Sequence, residues 1–245
     1  MHSFIRMIAL AAMLLALAPG LRAQTAVDPS GHWEGAIQVP GMELKVEVDL
    51  AKNDRGALVG FFSQPAQHLS GLPLANLAVV GTSIAFQIKG SGPGNRAFKG
   101  VLSSDGKSIV GEFAQTGYSL PFSLTRTGGA RIEPPVRNAA IGKALVGTWN
   151  GALNVNGVER HLVLTMSNQA DGTGTGHFVN VEEALEIPIA AITQEASGVR
   201  LEVKAVGGSY AGALNPDGTE LIGTLTQGPA VMPLTFRRAS PESGK

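Results

Sequence analysis

The chain has 245 residues, in which 19 basic and 19 acidic side chains balance. This balance gives no electrostatic reason to expect nucleic acid or an anionic membrane surface as a partner. Cysteine is absent from the sequence, which excludes disulfides, thiolate zinc sites and cysteine nucleophiles.

The N-terminus has the features of a secretory signal peptide. Arg6 supplies a positive charge, and residues 7–18 form an apolar run of about 12 residues, too short for a bilayer core of about 30 Å. Small Ala23 follows the helix-breaking pair Pro19 and Gly20. We therefore expect residues 1–23 to be a signal peptide cleaved near Ala23, with the mature protein periplasmic or extracellular and without a membrane span. A retained membrane anchor is the alternative.

The remainder of the chain is one unit written twice, because four segments return in the same order. The pairs are 31–35 with 147–151, 98–106 with 210–218, 109–115 with 221–227, and 120–126 with 232–238. The predicted organisation is a first repeat at 24–127, a Gly- and Pro-containing linker at 128–144, and a second repeat at 145–240. The polar composition of the linker predicts an exposed, partly extended connector.

Each repeat consists of short strands with one apolar and one polar face. In Met42–Leu50 every even position is apolar and every odd position is charged, which is typical of a half-buried strand. Further strands are expected from Trp33 onward and at the returning segments, with short ones near 58–63 and 77–80. Turn signals separate them and bring the total to about eight strands in each repeat.

The predicted fold class is all-β, with two tandem small antiparallel up-and-down barrels. Closure of a barrel removes exposed strand edges, whereas a sandwich is the alternative arrangement. Inner-face glycines favour the barrel, because a small coiled barrel needs space at its corners; they are Gly35, Gly60, Gly100 and Gly111.

A Gly-x-Trp on the first strand and an Arg at the end of the last strand resemble the calycin barrels, the lipocalin and avidin group. Trp33 with Arg126, and Trp149 with Arg238, stand at the corresponding positions. The resemblance implies that each Trp plugs one end of its barrel and that the Arg lies across it. A guanidinium over an indole contributes about 0.5–2 kcal/mol.

A second resemblance covers nearly the whole repeat. The stretch Ser63–Gln67 running into Gly71–Pro73, together with the Gly-x-Trp, Gly-x-x-x-Gln and Leu-Pro segments, is similar to the β module found ahead of α/β-hydrolase domains in secreted bacterial proteins. A second copy of the module stands where the hydrolase domain would be. That copy departs from the pattern, because 181–185 replaces the Ser-x-Pro-x-Gln stretch.

The sequence offers little catalytic chemistry. The segments around Ser119 and Ser209 lack the second glycine of a nucleophile elbow and precede no helical pattern, so we expect no enzyme, no cofactor and no metal.

His161 and His177 would lie roughly opposite each other across a hairpin, but a zinc site needs three or four ligands, and surface imidazoles without a function are favoured. No buried carboxylate pair is expected, because Asp and Glu fall almost entirely on polar faces or in turns. The repeated Gln115 and Gln227 either satisfy loop backbone groups or contact a ligand.

Two functions are consistent with these features. Calycin-like barrels hold small apolar molecules in their interior, and an apolar ligand would contact five aromatic side chains expected on the inner face: Phe62, Phe86, Phe98, Phe113 and Phe122. The same rings equally suit a filled core. The alternative function is an interaction or accessory module for a secreted or periplasmic hydrolase or another partner protein.

Overall fold

A computed structural model of the chain describes residues 27–92, 95–155, 157–196 and 198–239. The predicted signal peptide lies outside these residues. Most of the described part is strand. Its first half contains β1 (Gly31–Val39), β2 (Met42–Lys52), β3 (Leu58–Gln64), β4 (Leu69–Val80), β5 (Ser83–Ile88), β6 (Ala97–Leu102), β7 (Ser108–Gln115) and β8 (Tyr118–Gly128). Within the described ranges, we find no helix that is both long and apolar enough for a membrane crossing.

The second half follows the same plan with one additional strand. It contains β9 (Gly147–Val155), β10 (Val158–Asn168), β11 (Gly174–Asn180), β12 (Leu185–Pro188), β13 (Ala191–Glu195), β14 (Gly198–Val203), β15 (Gly208–Leu214), β16 (Glu220–Gln227) and β17 (Ala230–Arg238). Single 3-10 turns lie at Pro65–Gln67 and Lys204–Val206. The predicted all-β fold with a repeated unit is confirmed.

Strands β1 to β8 form a closed antiparallel barrel, the first barrel. Each strand pairs with its neighbour along the chain, and β1 also pairs with β8, with Gly35 opposite Leu124. This last ladder closes the sheet and removes its edges, so the barrel is confirmed and the sandwich alternative is wrong.

Strands β9 to β17 curl into the second barrel, in which β9 pairs with β17. Its fourth strand is interrupted at Ile189 and Ala190, so that β12 pairs with β11 and β13 pairs with β14. Hydrogen bonds continue across the interruption: the Ile189 N–H donates to Gly176 O (3.0 Å) and the Ala190 N–H to Glu202 O (2.8 Å). The second barrel is therefore an eight-strand design with one strand broken in two.

Tight contacts between strands explain why glycine occupies several inner-face positions. A Cβ atom on Gly35 would lie 1.9 Å from Ser123 O, and one on Gly111 would lie 2.0 Å from Lys99 O. Such distances are far below van der Waals contact, so any side chain there would push neighbouring strands apart. The glycines permit the strong coiling of a small barrel.

The fourth strand differs from the expected short strand near 77–80. β4 is longer because it begins at Leu69, and it bends at Asn76, where φ is +54°. The register between β4 and β5 shifts between Ala75 and Ala78 at this bend. One strand thereby pairs with β3 through its first half and with β5 through its second half.

Most of the linker at 128–144 is exposed, and Ile141 is its buried point. Ile141 is 3% exposed. The Asn168 side chain fixes this segment, since its Oδ1 accepts from the Ile141 N–H (2.7 Å) and its Nδ2 donates to Ile141 O (2.8 Å). The end of the linker is therefore anchored to the second barrel at this residue.

Candidate functional site

One end of each barrel is sealed by a Trp and an Arg. The Arg126 Cζ lies 4.7 Å from the centroid of the Trp33 ring, and the Arg238 Cζ lies 4.1 Å from that of Trp149. Both indoles are fully buried. Each indole N–H donates to a backbone carbonyl four residues earlier, Trp33 to Pro29 (3.0 Å) and Trp149 to Leu145 (3.0 Å).

The same two arginines hold the chain where it enters each barrel. Arg126 Nη2 donates to Asp28 O (2.6 Å), and Arg238 Nη1 donates to Val146 O (3.0 Å). The structure thus brings each sequence-predicted Trp and Arg together in the same way in both barrels. This end of each barrel is filled by side chains that hold the fold.

A cavity of about 110 Å³ lies at the opposite end of the first barrel. Its wall combines the ends of β1, β3, β5 and β7 with the first halves of β2 and β4. The apolar part of the wall in this barrel is formed by Ile37, Leu44, Phe62, Leu69, Leu72, Ile88 and Phe113. Polar side chains form the rest of the lining, so the cavity is amphipathic.

A buried amide faces the apolar part of this wall. Gln64, the last residue of β3, is 6% exposed, and its Nε2 has no hydrogen-bond partner among the described residues. Half-buried Arg96 and exposed Gln67 and Gln115 also line the cavity. A buried donor without an acceptor is costly, so the Gln64 Nε2 is available for a hydrogen bond to a molecule that enters the cavity.

The second barrel supplies the remaining lining residues. Glu183 and Leu185 lie in the turn before β12 and at its start, and both line the cavity of the first barrel. Leu185 is 4% exposed. The cavity is therefore bounded by both halves of the chain.

The five phenylalanines predicted on the inner face of the first barrel divide into two groups. Phe62 and Phe113 line the cavity, whereas Phe86, Phe98 and Phe122 lie outside its lining. The Phe98 ring is fully buried at the centre, with ring centroids at 4.6 Å from Phe113, 4.8 Å from Phe86, 5.2 Å from Phe122 and 5.9 Å from Phe62. The middle of the barrel is a packed aromatic core, and the open volume is confined to its end.

A buried polar cluster on the outside of the first barrel escaped the sequence reasoning. His32 is fully buried; its Nδ1 lies 2.8 Å from Asp49 Oδ1 and its Nε2 lies 3.1 Å from Glu34 Oε1. The linker covers the cluster, and the Arg131 N–H donates to Asp49 Oδ1 (2.7 Å). The alternation in β2 correctly predicts Asp49 on the outer face of the barrel. The sequence gives no sign that the linker packs over this part of the outer face and buries Asp49.

The two histidines of the second barrel are not opposite each other. His177 pairs with Thr165, which lies four residues further along β10 than His161. His161 instead lies beside Glu182, with 2.7 Å between Nδ1 and Oε1, and the hydrogen bond to this carboxylate raises the pKa of His161. Among the described residues, no group of three or more potential ligands is arranged to hold a metal ion.

The remaining polar residues named in the sequence analysis are Ser119, Ser209, Gln115 and Gln227. The Ser119 hydroxyl donates to Glu112 Oε2 (2.9 Å), and Ser209 lies within β15. Gln227 Nε2 donates to Val206 O (3.0 Å), so it satisfies a loop carbonyl. Its counterpart Gln115 lines the cavity of the first barrel instead.

No family model matches the chain, and no curated protein matches it in sequence. Among solved structures, a candidate outer membrane protein from Bacteroides fragilis is 10% identical, with 86% of this chain and 97% of that chain covered and a TM-score of 0.27. A protein of unknown function of the DUF3598 family from Nostoc punctiforme is 12% identical, with 88% and 97% covered and a TM-score of 0.23. At TM-scores this low, the fold assignment rests on the strand pairing of this chain itself.

Proposed function

We propose that this is an exported, non-enzymatic binding protein that holds a small, mainly apolar molecule at the open end of the first barrel. The observation that carries the proposal is the buried Gln64 amide, whose Nε2 has no partner among the described residues and which lines this amphipathic cavity. The ligand would place its apolar part against Phe62 and Phe113 and one acceptor atom at Gln64. Aromatic walls with one placed polar group are typical of small-molecule sites.

The size of the cavity limits the ligand. An apolar cavity of about 150 Å³ accommodates benzene, and the cavity here has about 110 Å³. The part of the ligand that enters is therefore a compact group somewhat smaller than benzene, about four or five non-hydrogen atoms. A longer tail would have to leave past the rim at Gln67 and Gln115.

Cyclopentanone is a suitable probe because it combines a compact apolar ring with one carbonyl acceptor. We expect weak binding, with a dissociation constant on the order of 1 mM, corresponding to about −4 kcal/mol. Methylcyclopentane has a similar shape without the acceptor and should bind less well. Saturation-transfer and chemical-shift NMR on the full chain measure both affinities.

The variant Gln64→Leu tests the role of the amide. It should weaken cyclopentanone binding about tenfold, because one neutral hydrogen bond contributes about 0.5–1.5 kcal/mol. It should also raise the free energy of unfolding by about 1 kcal/mol, since a buried unpaired donor is removed. Weaker binding together with higher stability is a combination that a purely structural glutamine would not show.

Gln227→Leu is the matched control, because it changes the corresponding end of the second barrel, where the amide already bonds Val206. It should leave cyclopentanone affinity unchanged. Equal affinity of wild type and Gln64→Leu for the probe would contradict the proposed site.

A second candidate function, docking of a partner protein, is favoured by an exposed apolar row on the outside of the first barrel. Val80, Val101 and Val110 are 77%, 51% and 53% exposed, and Val101 lies directly opposite Val110. They border a shallow depression of about 450 Å³. Exposed apolar patches of this kind mark interaction surfaces, and replacing Val101 and Val110 by Ser should abolish partner association without changing thermal unfolding.

A further inference from the structure

The contact between the two barrels lies at the rim of the cavity. Lys89 is the first residue after β5, and Glu186 belongs to β12. The distance between Lys89 Nζ and Glu186 Oε1 is 2.7 Å. The Glu186 side chain is only 17% exposed. β4 also packs against β12 and against the 3-10 turn at 204–206.

Gly90 allows this close approach. Its φ is +85°, and a Cβ atom there would lie 2.5 Å from Glu186 Cβ and 2.7 Å from Glu186 N. Any larger residue would collide with β12 as well as strain the backbone. The backbone of Gly90, in the loop after β5, therefore packs directly against Glu186 near the start of β12.

The two repeats diverge at the segment that covers the cavity. Residues 181–185 replace the Ser63–Gln67 stretch of the first repeat, and the structure places Glu183 and Leu185 of this segment in the cavity wall. Gln227, the counterpart of the cavity residue Gln115, is bonded to a loop carbonyl. One barrel thus carries the open cavity, and the other carries the segment that closes it.

We infer that the binding site belongs to both barrels: the second barrel forms its outer wall, and the Lys89–Glu186 pair acts as a latch that controls how tightly the ligand is held. The inference rests on the proposed function of the cavity. Leu185 contacts the ligand only when the two barrels are in contact with each other. Ligand binding and this contact between the barrels therefore raise each other's equilibrium constants by the same factor.

Charge reversal of the latch tests this inference in the full chain. Lys89→Glu places two carboxylates together and should weaken cyclopentanone binding about fivefold, the size expected for a partly exposed ion pair. Glu186→Lys should do the same, and the double exchange Lys89→Glu with Glu186→Lys should restore the affinity. Lys52→Glu is the control with the same change of charge, because Lys52 pairs with Asp28 at the opposite, Trp-sealed end of the first barrel and should leave the affinity unchanged.

A second readout follows the docking itself. The chain has no cysteine, so spin labels can be placed at Val101→Cys and Val231→Cys, which are 51% and 66% exposed. The distance distribution between the labels should broaden in Lys89→Glu, narrow again in the double exchange, and narrow in the wild type when cyclopentanone is added.

The outcomes separate the inference from the proposed function. A wild type that binds cyclopentanone, with Lys89→Glu binding equally well or the double exchange failing to restore binding, overturns the latch and leaves the cavity as the site. A wild type that binds neither cyclopentanone nor methylcyclopentane overturns the proposed function and the inference with it.

Discussion

At the scale of single residues, the buried polar groups distinguish the first barrel from the second. His32 follows Gly31 in the first barrel, whereas Thr148 holds the corresponding position in the second. The imidazole lies between Asp49 and Glu34, beneath the linker. A histidine with carboxylates at both ring nitrogens joins strands β1 and β2 on the outside of the barrel.

Substitution of His32 by Thr, the residue of the second repeat, should lower the free energy of unfolding by about 1–3 kcal/mol. The reason is that the variant removes the imidazole partner of buried Asp49, whose carboxylate then keeps the hydrogen bond from the Arg131 N–H. Loss of a hydrogen bond to a buried charged group costs about this amount. Urea unfolding of the full chain followed by circular dichroism measures the change. His161→Ala, at an exposed site, is the control and should change stability by less than about 0.5 kcal/mol; an equally small effect for His32→Thr would show that the cluster does not stabilise the fold.

At the scale of secondary-structure elements, closure joins the first strand of each barrel to the last. The pairing of Trp33 with Arg126 and of Trp149 with Arg238 occurs where these strands meet. The indole fills the end of the barrel, and the guanidinium covers the indole and bonds the incoming chain. The Trp thus contributes buried apolar area, and the Arg contributes a smaller contact at the rim.

The two members of the pair should therefore differ in their effect on stability. Trp33→Ala should cost about 3–5 kcal/mol as a large core truncation, and Arg126→Ala about 1 kcal/mol through loss of the cation–π contact. Denaturant unfolding of the full chain measures both values. Arg237→Ala is a control for the second barrel, since Arg237 is 79% exposed and pairs only with Glu220. A cost for Arg126→Ala as large as that for Trp33→Ala would assign the sealing role to the Arg.

The strands and the closing pairs could be predicted because they follow local rules. Alternation in β2 identifies its buried face, and the repeat of Gly-x-Trp and Arg marks where each barrel begins and ends. The length of β4 could not be predicted in this way, because the bend at Asn76 changes its register within one strand.

The candidate site was predictable only in part, for a similar reason. Phe62 and Phe113 were expected on the inner face and line the cavity. Gln64 shares the inner-face phase of Gly60 and Phe62 in β3, so its burial follows the same alternation. The contribution of Leu185 depends on which parts of the two barrels meet, and this contact joins residues far apart in the sequence. Gln115 carried a signal, since its recurrence as Gln227 identified a strand end with a polar role.

At the scale of the whole molecule, the two similar barrels contribute differently to the cavity. The first is sealed by Trp33 at one end and carries the cavity at the other. The second contributes its β12 region to that cavity and holds the linker through Asn168 and the core residue Ile141. The second repeat thereby contributes Glu183 and Leu185 to the wall of the cavity in the first barrel.

Because the first barrel is closed and has its own core, residues 24–130 expressed alone should give a soluble protein that unfolds cooperatively. All eight strands pair within this fragment, so removing the second barrel leaves every ladder intact. The removal exposes the cavity rim, the part of β4 that packs against 204–206 and the surface of Asp49 that Arg131 covers. A fragment ending at residue 133 should be more stable by about 1 kcal/mol, because it retains the hydrogen bond from Arg131 N–H to Asp49. Calorimetry checks both statements, since a two-state unfolder has equal calorimetric and van't Hoff enthalpies. An unfolded fragment beside a folded full chain would show that the two barrels are one cooperative unit, in which the first cannot form without the wall that the second provides.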